Sequence, residues 1–247
     1  MSEPKLIILN DAQELYVRAA EEVAHIIGEA ICTHGEFTFA LSGGSTPAAT
    51  YDLLATRFRL SVDWKELQFY WGDERCVPPD NAESNYAMAN RTMLSKLGLR
   101  PDQVHRMRGE DPPASAALAY EDELRKRFGV ADGEFPRFDL IMLGLGDNRH
   151  TASLFPGDPA IHETQRMVVA VEVDAEPRKR LSFTPPVINN AQRVMFLVAG
   201  QGKAAAVKDV LQGPRDPDKF PAQIVAPHNG EVIWLLDKAA ASLLSPR

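Results

Sequence analysis

Phe37-Thr38-Phe39-Ala40-Leu41-Ser42-Gly43-Gly44-Ser45-Thr46-Pro47 decides the fold class. The short apolar run Phe37–Leu41 stops at two glycines, and a helix-like segment begins at Pro47. Proline suits a first helical position, where its missing N–H would be unpaired anyway. An apolar run without alternation predicts a strand covered on both faces, as in a parallel sheet. The same unit recurs outward in both directions. Upstream, Leu6–Leu9 precedes a helix opened by the capping pair Asp11 and Glu14. Leu15, Ala19, Val23, Ile26, Ile27, Ala30 and Ile31 then recur at helical spacing, which marks one buried face. Downstream, Leu67–Trp71 ends at Gly72-Asp73-Glu74-Arg75, and Phe138–Leu145 ends at Gly146-Asp147-Asn148-Arg149-His150. Val194–Ala199 ends at Gly200-Gln201-Gly202-Lys203 before an Ala-rich helix. Val232–Leu236 is the last expected strand, followed by a short Ala/Leu helix. Strands alternating with helices predict an α/β fold. The expectation is a doubly wound, mostly parallel sheet with helices on both faces, formed by residues 1–247 as a single domain.

The Gly-rich and charged clusters all sit where apolar runs stop. In an open α/β sheet those are the carboxyl ends of the strands, the edge where ligands bind. Segments far apart in sequence therefore face one crevice.

Composition narrows the ligand. The 247 residues are 45% apolar and 25% charged, with a formal net charge of −7. That balance argues against a nucleic-acid or anionic-membrane partner held by a general basic field. It leaves room for a small anion where a few cations converge. Cys32 and Cys76 lack metal-ligand spacing and are expected to be free thiols. Met1–Asn10 has no basic region followed by an apolar core and cleavage site. Runs such as Leu140–Leu145 are too short to span a bilayer, so a cytoplasmic protein is expected.

Four clusters carry chemistry. Ser42-Gly43-Gly44-Ser45-Thr46-Pro47 offers hydroxyls and helix N-terminal amides to an anion. It has neither Walker nor dinucleotide-fingerprint spacing, and a plain strand–helix turn is its other reading. Gly72-Asp73-Glu74-Arg75 is either a solvated charged turn or an arginine held by carboxylates for a substrate oxygen. His150 follows a buried-looking strand and a Gly-containing loop, a setting that His25, His34, His105, His162 and His228 lack. No histidine pairs with another ligand at zinc-like spacing. Arg180 and Lys203 arrive at the same sheet edge and suggest a phosphate site, with forked contacts from one and a point charge from the other.

Ala40–Pro47, Asp73-Glu74-Arg75-Cys76-Val77-Pro78, Ser84-Asn85-Tyr86, Leu143–Gly146, His150–Gly157, Arg180–Asn190, Pro221-Ala222-Gln223 and Trp234–Ala240 together resemble the 6-phosphogluconolactonases. The resemblance runs in order along nearly the whole chain. It implies a Rossmann-like fold shared with glucosamine-6-phosphate deaminases and sugar-phosphate-binding regulator domains. It implies hydrolysis of 6-phospho-D-glucono-1,5-lactone in the oxidative pentose phosphate pathway, without metal or organic cofactor, and a functional coupling to glucose-6-phosphate dehydrogenase. By similarity His150 is the general base and Arg75 assists at the carbonyl. Ser42, Gly43, Gly44, Ser45, Thr46, Asp73, Arg180 and Lys203 bind substrate, the two cations mainly its phosphate. One departure stands out: the family's usual Asp-Gly before this histidine is Asn148-Arg149 here. Asp147 is expected to compensate as the residue that orients the ring, and backbone amides near Gly44 or Gly146 as oxyanion donors. An amino-sugar-phosphate deaminase/isomerase and a non-catalytic sugar-phosphate sensor are the alternatives. The deaminases place a Phe-Asn-Glu-Pro-like segment after the histidine, where this chain has Ser153-Leu154-Phe155-Pro156.

Overall fold

The structure, a computed structural model, describes residues 3–174 and 176–245. Met1 and Ser2, which head the segment read for a leader, lie outside the described residues. In chain order the strands are β1 (Lys5–Leu9), β2 (Phe37–Leu41), β3 (Leu67–Trp71), β4 (Asp73–Arg75), β5 (Leu140–Leu143), β6 (Val168–Glu172), β7 (Lys179–Phe183), β8 (Arg193–Val198) and β9 (Glu231–Asp237). The helices are α1 (Ala12–His34), α2 (Ser45–Thr56), α3 (Asn85–Thr92), α4 (Pro113–Phe128), α5 (Pro185–Asn190) and α6 (Ala204–Gln212).

Six strands form one sheet in the order β1-β9-β8-β5-β2-β3, and every neighbouring pair is parallel. Strand alternation divides its side chains between two cores. Phe37, Phe39 and Leu41 of β2, Leu140 and Met142 of β5, and Met195 and Leu197 of β8 face α1, α2 and α3. Ala40, Ile141, Leu143, Val194, Phe196 and Val198 face α4 and α6 on the other side. The expected parallel sheet between two helical layers is what these residues build. Asp11 caps α1 as expected, accepting from the Glu14 amide at 2.9 Å.

Strand order reverses between β2 and β5: β2 leads outward to β3, whereas β5 leads the other way, to β8 and β9. Such a switch point leaves a crevice at the strands' carboxyl ends. The loops after β2 and β5, which carry Ser42–Thr46 and Gly146–His150, flank it.

A second sheet, β4-β7-β6, is antiparallel throughout and was not expected. Gly72 joins the two sheets, donating to the Leu41 carbonyl at 2.9 Å and accepting from the Phe183 amide at 2.7 Å. The helix expected after β9 is instead a series of turns. Asp237 accepts from the amides of Gly200 and Ala240, which ties the segment back to the loop after β8. A run this short cannot sustain a helix against such anchoring.

Candidate active site

The turn after β2 builds the first wall. Gly44 has φ 106°, a conformation side chains rarely adopt, and stands just before α2. That helix starts at Ser45, so Pro47 is its third residue rather than its first. The first-turn amides have no intrahelical acceptor and offer donors at the positive end of the helix dipole. Tyr51 on α2 locks the turn: its hydroxyl accepts from the Ser42 amide at 2.9 Å and donates to the Ser42 carbonyl at 3.1 Å. Among the described residues the buried Ser42 hydroxyl oxygen has no hydrogen-bond partner. A polar atom in that state favours a ligand that completes its bonding. Gly43 is needed for space, since a β-carbon there would lie 1.9 Å from Asn85 Oδ1.

The second wall comes from the small sheet. The β4–β7 register sets Arg75 directly opposite Arg180, and Asp73 opposite Ser182. Like charges facing each other across a ladder are unfavourable unless an anion lies between or beside them. Arg75 is steered by Glu83, whose carbonyl accepts from Nη1 at 2.6 Å, while Arg75 Nε is buried without a partner among the described residues. Arg180 is buried and lies over the Phe155 ring at 5.6 Å. Asp73 accepts from Ser153 Oγ at 2.8 Å and from Asn85 Nδ2 at 3.3 Å. The buried Glu74 carboxylate takes the amides of Arg75, Asn85 and Tyr86 and the Ser84 hydroxyl, which binds the head of α3 to β4. Burial pushes its pKa up, and those bonds oppose the rise.

The third wall is the loop after β5. His150 Nδ1 lies 2.5 Å from Asn148 Oδ1, which also accepts from the His150 amide at 3.3 Å. An acceptor at Nδ1 assigns the proton there and leaves Nε2 as a free base. The expected role of Asp147 is therefore corrected: its carboxylate takes Lys203 Nζ at 2.6 Å, and Asn148 itself orients the ring. Gly146 is corrected too, because its amide donates to the His150 carbonyl at 2.9 Å and is not available to an oxyanion. A β-carbon at Gly146 would come within 2.0 Å of His150 Nδ1, so the ring requires glycine there. The imidazole stacks on Phe155 with centroids 4.1 Å apart.

Burial holds His150 at a pKa of about 4, well below the ordinary value of 6.5, and the charges of Arg180 and then Lys203 hold it down further. Asp147 acts the other way, and Arg75 adds a smaller depression. The ring is therefore neutral at pH 7. NMR titration of the ligand-free protein should give a His150 midpoint near 4. Inorganic phosphate, by neutralising Arg180 and Lys203, should move it upward. Asn148→Asp should do the same, since a carboxylate at Nδ1 stabilises the imidazolium. A free-protein midpoint near the ordinary 6.5, unmoved by phosphate, would contradict this electrostatic picture.

Arg149 takes a left-handed φ of 70°, which costs a non-glycine residue of order 1–3 kcal/mol. Its side chain turns to α6, with Nε and Nη2 on Asp209 Oδ2 at 2.8 and 2.5 Å.

All ten residues expected at the site line one cavity of about 290 Å3: Ser42, Gly43, Gly44, Ser45, Thr46, Asp73, Arg75, His150, Arg180 and Lys203. Asn85, Gly144 and Ala152 also line it and were not expected as site residues. Asn85 was named in the sequence only as part of the Ser84-Asn85-Tyr86 stretch of the resemblance, and its burial beside Asp73 gives it a place in the wall. A larger hollow of about 820 Å3, lined by Phe135, Ile161 and His228 among others, has no arginine or lysine among the described residues that line it. Among the described residues no group of three or more His, Cys, Asp or Glu is arranged to hold a metal ion, and no helix is long and apolar enough to cross a membrane.

Fold and site define an α/β protein that gathers three cations, a helix N-terminus and a neutral histidine around a small polar cavity at a switch point. The sequence profile described as glucosamine-6-phosphate isomerases/6-phosphogluconolactonase matches residues 10–234, and the chain belongs to that family. Within it, the chain groups with the 6-phosphogluconolactonases. It is 41% identical over 244 residues to the 6-phosphogluconolactonase of Synechocystis sp., covering 98% of this chain and 99% of that one. The solved 6-phosphogluconolactonase from Trypanosoma cruzi superposes with a TM-score of 0.89 at 31% identity, over 100% of this chain and 99% of that chain. A monomeric glucosamine-6-phosphate deaminase, 24% identical with a TM-score of 0.80 over 97% of this chain and 100% of that one, shares the fold.

Proposed function

We propose that the chain hydrolyses 6-phospho-D-glucono-1,5-lactone to 6-phospho-D-gluconate, with His150 as general base. The observation that carries this is the convergence in one cavity of a neutral, Nδ1-anchored histidine with Ser42, Arg180 and Lys203. Similarity to the lactonases supports the substrate.

In the proposed reaction His150 Nε2 takes a proton from water as its oxygen bonds to C1 of the lactone. Negative charge moves to the carbonyl oxygen, where Arg75, whose Nε–H has no hydrogen-bond partner among the described residues, stabilises it. Collapse breaks the bond from C1 to the ring oxygen, and the imidazolium returns its proton to that oxygen as the C5 hydroxyl. The carboxylic acid then loses its proton to solvent, so each turnover releases one proton at neutral pH. A positioned general base contributes about 10²–10⁴-fold and one oxyanion donor about 10²–10³-fold. Phosphate binding by Arg180, Lys203, Ser42 and the head of α2 orients the ring. It also lifts the base from its resting state by neutralising the two cations that depress it. Asp73 and Asn85 provide oxygens for the sugar hydroxyls. This chemistry belongs to the oxidative pentose phosphate pathway and takes over the lactone that glucose-6-phosphate dehydrogenase makes.

The experiment that tests the substrate class offers three compounds under identical conditions. 6-Phosphogluconolactone should be hydrolysed, unphosphorylated gluconolactone far more slowly, and glucosamine 6-phosphate should release no ammonium. Ammonium release would put the deaminase in its place, and equal rates for the two lactones would remove the phosphate site.

A further inference from the structure

We propose that Arg149 is a positioning residue for His150 and that Asp209 on α6 is needed because an arginine, and not a glycine, occupies that left-handed position. The proposal rests on His150 being the base. Arg149 directly precedes His150 and follows Asn148, so its backbone fixes both the ring and the group that orients it. At φ 70° its conformation is disfavoured for any residue with a side chain. Both its side chain and its backbone are anchored. Nε and Nη2 donate to one oxygen of Asp209 at 2.8 and 2.5 Å. Nη1 donates to the Asp147 carbonyl at 2.8 Å, closing the turn on itself. The Arg149 carbonyl accepts from the Ala222 amide at 3.0 Å, and the guanidinium lies 6.0 Å from the Phe220 ring centroid. Arg149 thus links the histidine loop to α6 and to the segment around residues 220–222. Arg149 is absent from the cavity lining, so it acts through His150 rather than on substrate.

A glycine would adopt the same backbone without strain and would need no partner on α6. The bridge and the strain are therefore coupled, and a double-mutant cycle reads that coupling. Asp209→Asn and Arg149→Lys keep the strained backbone but lose the paired contact. Each is expected to lower kcat about tenfold or more by misplacing the ring, with KM little changed and the His150 titration midpoint moved up as water reaches the imidazole. Arg149→Gly is expected to stay within about threefold of the native kcat, and adding Asp209→Asn to it should cost nothing further within that margin. Thermal unfolding of each variant separates a local effect from loss of the fold. Asp209→Asn with native kcat and a native His150 midpoint would overturn the proposal. So would an equal loss from Asp209→Asn in the Arg149→Gly background, because Asp209 would then act independently of Arg149. Should His150→Ala turn over normally, the base assignment fails instead, whatever Asp209 does.

Discussion

His150→Ala is expected to lower kcat for 6-phosphogluconolactone hydrolysis about 10²–10⁴-fold, with the fold intact. The ring packs on Phe155 and bonds Asn148 at the cavity wall, outside both hydrophobic cores, so its removal leaves the sheet untouched. KM should change little, because the groups proposed to hold the phosphate, Arg180 and Lys203, remain in place. Proton release from freshly generated lactone, with spontaneous opening subtracted, gives the rate directly. A variant with near-native kcat would mean that water is activated elsewhere in the cavity, with Asp73 the next carboxylate in line.

Arg180→Ala is the second large effect. The Arg180 side chain is buried, forms no ion pair among the described residues, and its one hydrogen bond there is from Nε to the Pro177 carbonyl at 3.3 Å. Most of its donors are therefore open to a ligand. Hydrogen bonds to a charged group contribute about 1.5–3 kcal/mol, so kcat/KM should fall about 10–150-fold by the same conversion. The loss should lie mainly in KM and should be absent for unphosphorylated gluconolactone. Arg180→Lys should recover part of it, since an ammonium supplies charge without the planar fork. Equal losses with both lactones would assign Arg180 to the reacting carbonyl rather than to the phosphate. Removing Arg180 should also raise the His150 midpoint, because that guanidinium is the strongest charge holding it down.

The architecture was legible because its cause is local. Near-continuous apolar runs such as Phe37–Leu41 and Leu140–Leu143 name strands buried on both faces, and the clusters that end them line the cavity. The small sheet was not legible. β4 consists of Asp73, Glu74 and Arg75, whose charge carries no periodicity and reads as a turn. Its pairing with β7 is a long-range register that no local pattern encodes, and that register sets Arg75 against Arg180. The residues of the histidine loop were identified but their roles were exchanged. Asn148, read as the loss of a carboxylate, is the residue that meets His150, and Asp147 goes to Lys203. Only the backbone turn at Arg149 decides between them, and a left-handed arginine has no signature in sequence.

Catalysed opening of freshly made 6-phospho-D-glucono-1,5-lactone by the native protein tests the central claim most directly. Proton release at pH 7 should exceed the spontaneous rate by orders of magnitude and scale with protein concentration. A rate equal to background, with phosphorylated ligand still bound in the cavity, would contradict the account and leave a sugar-phosphate sensor in its place.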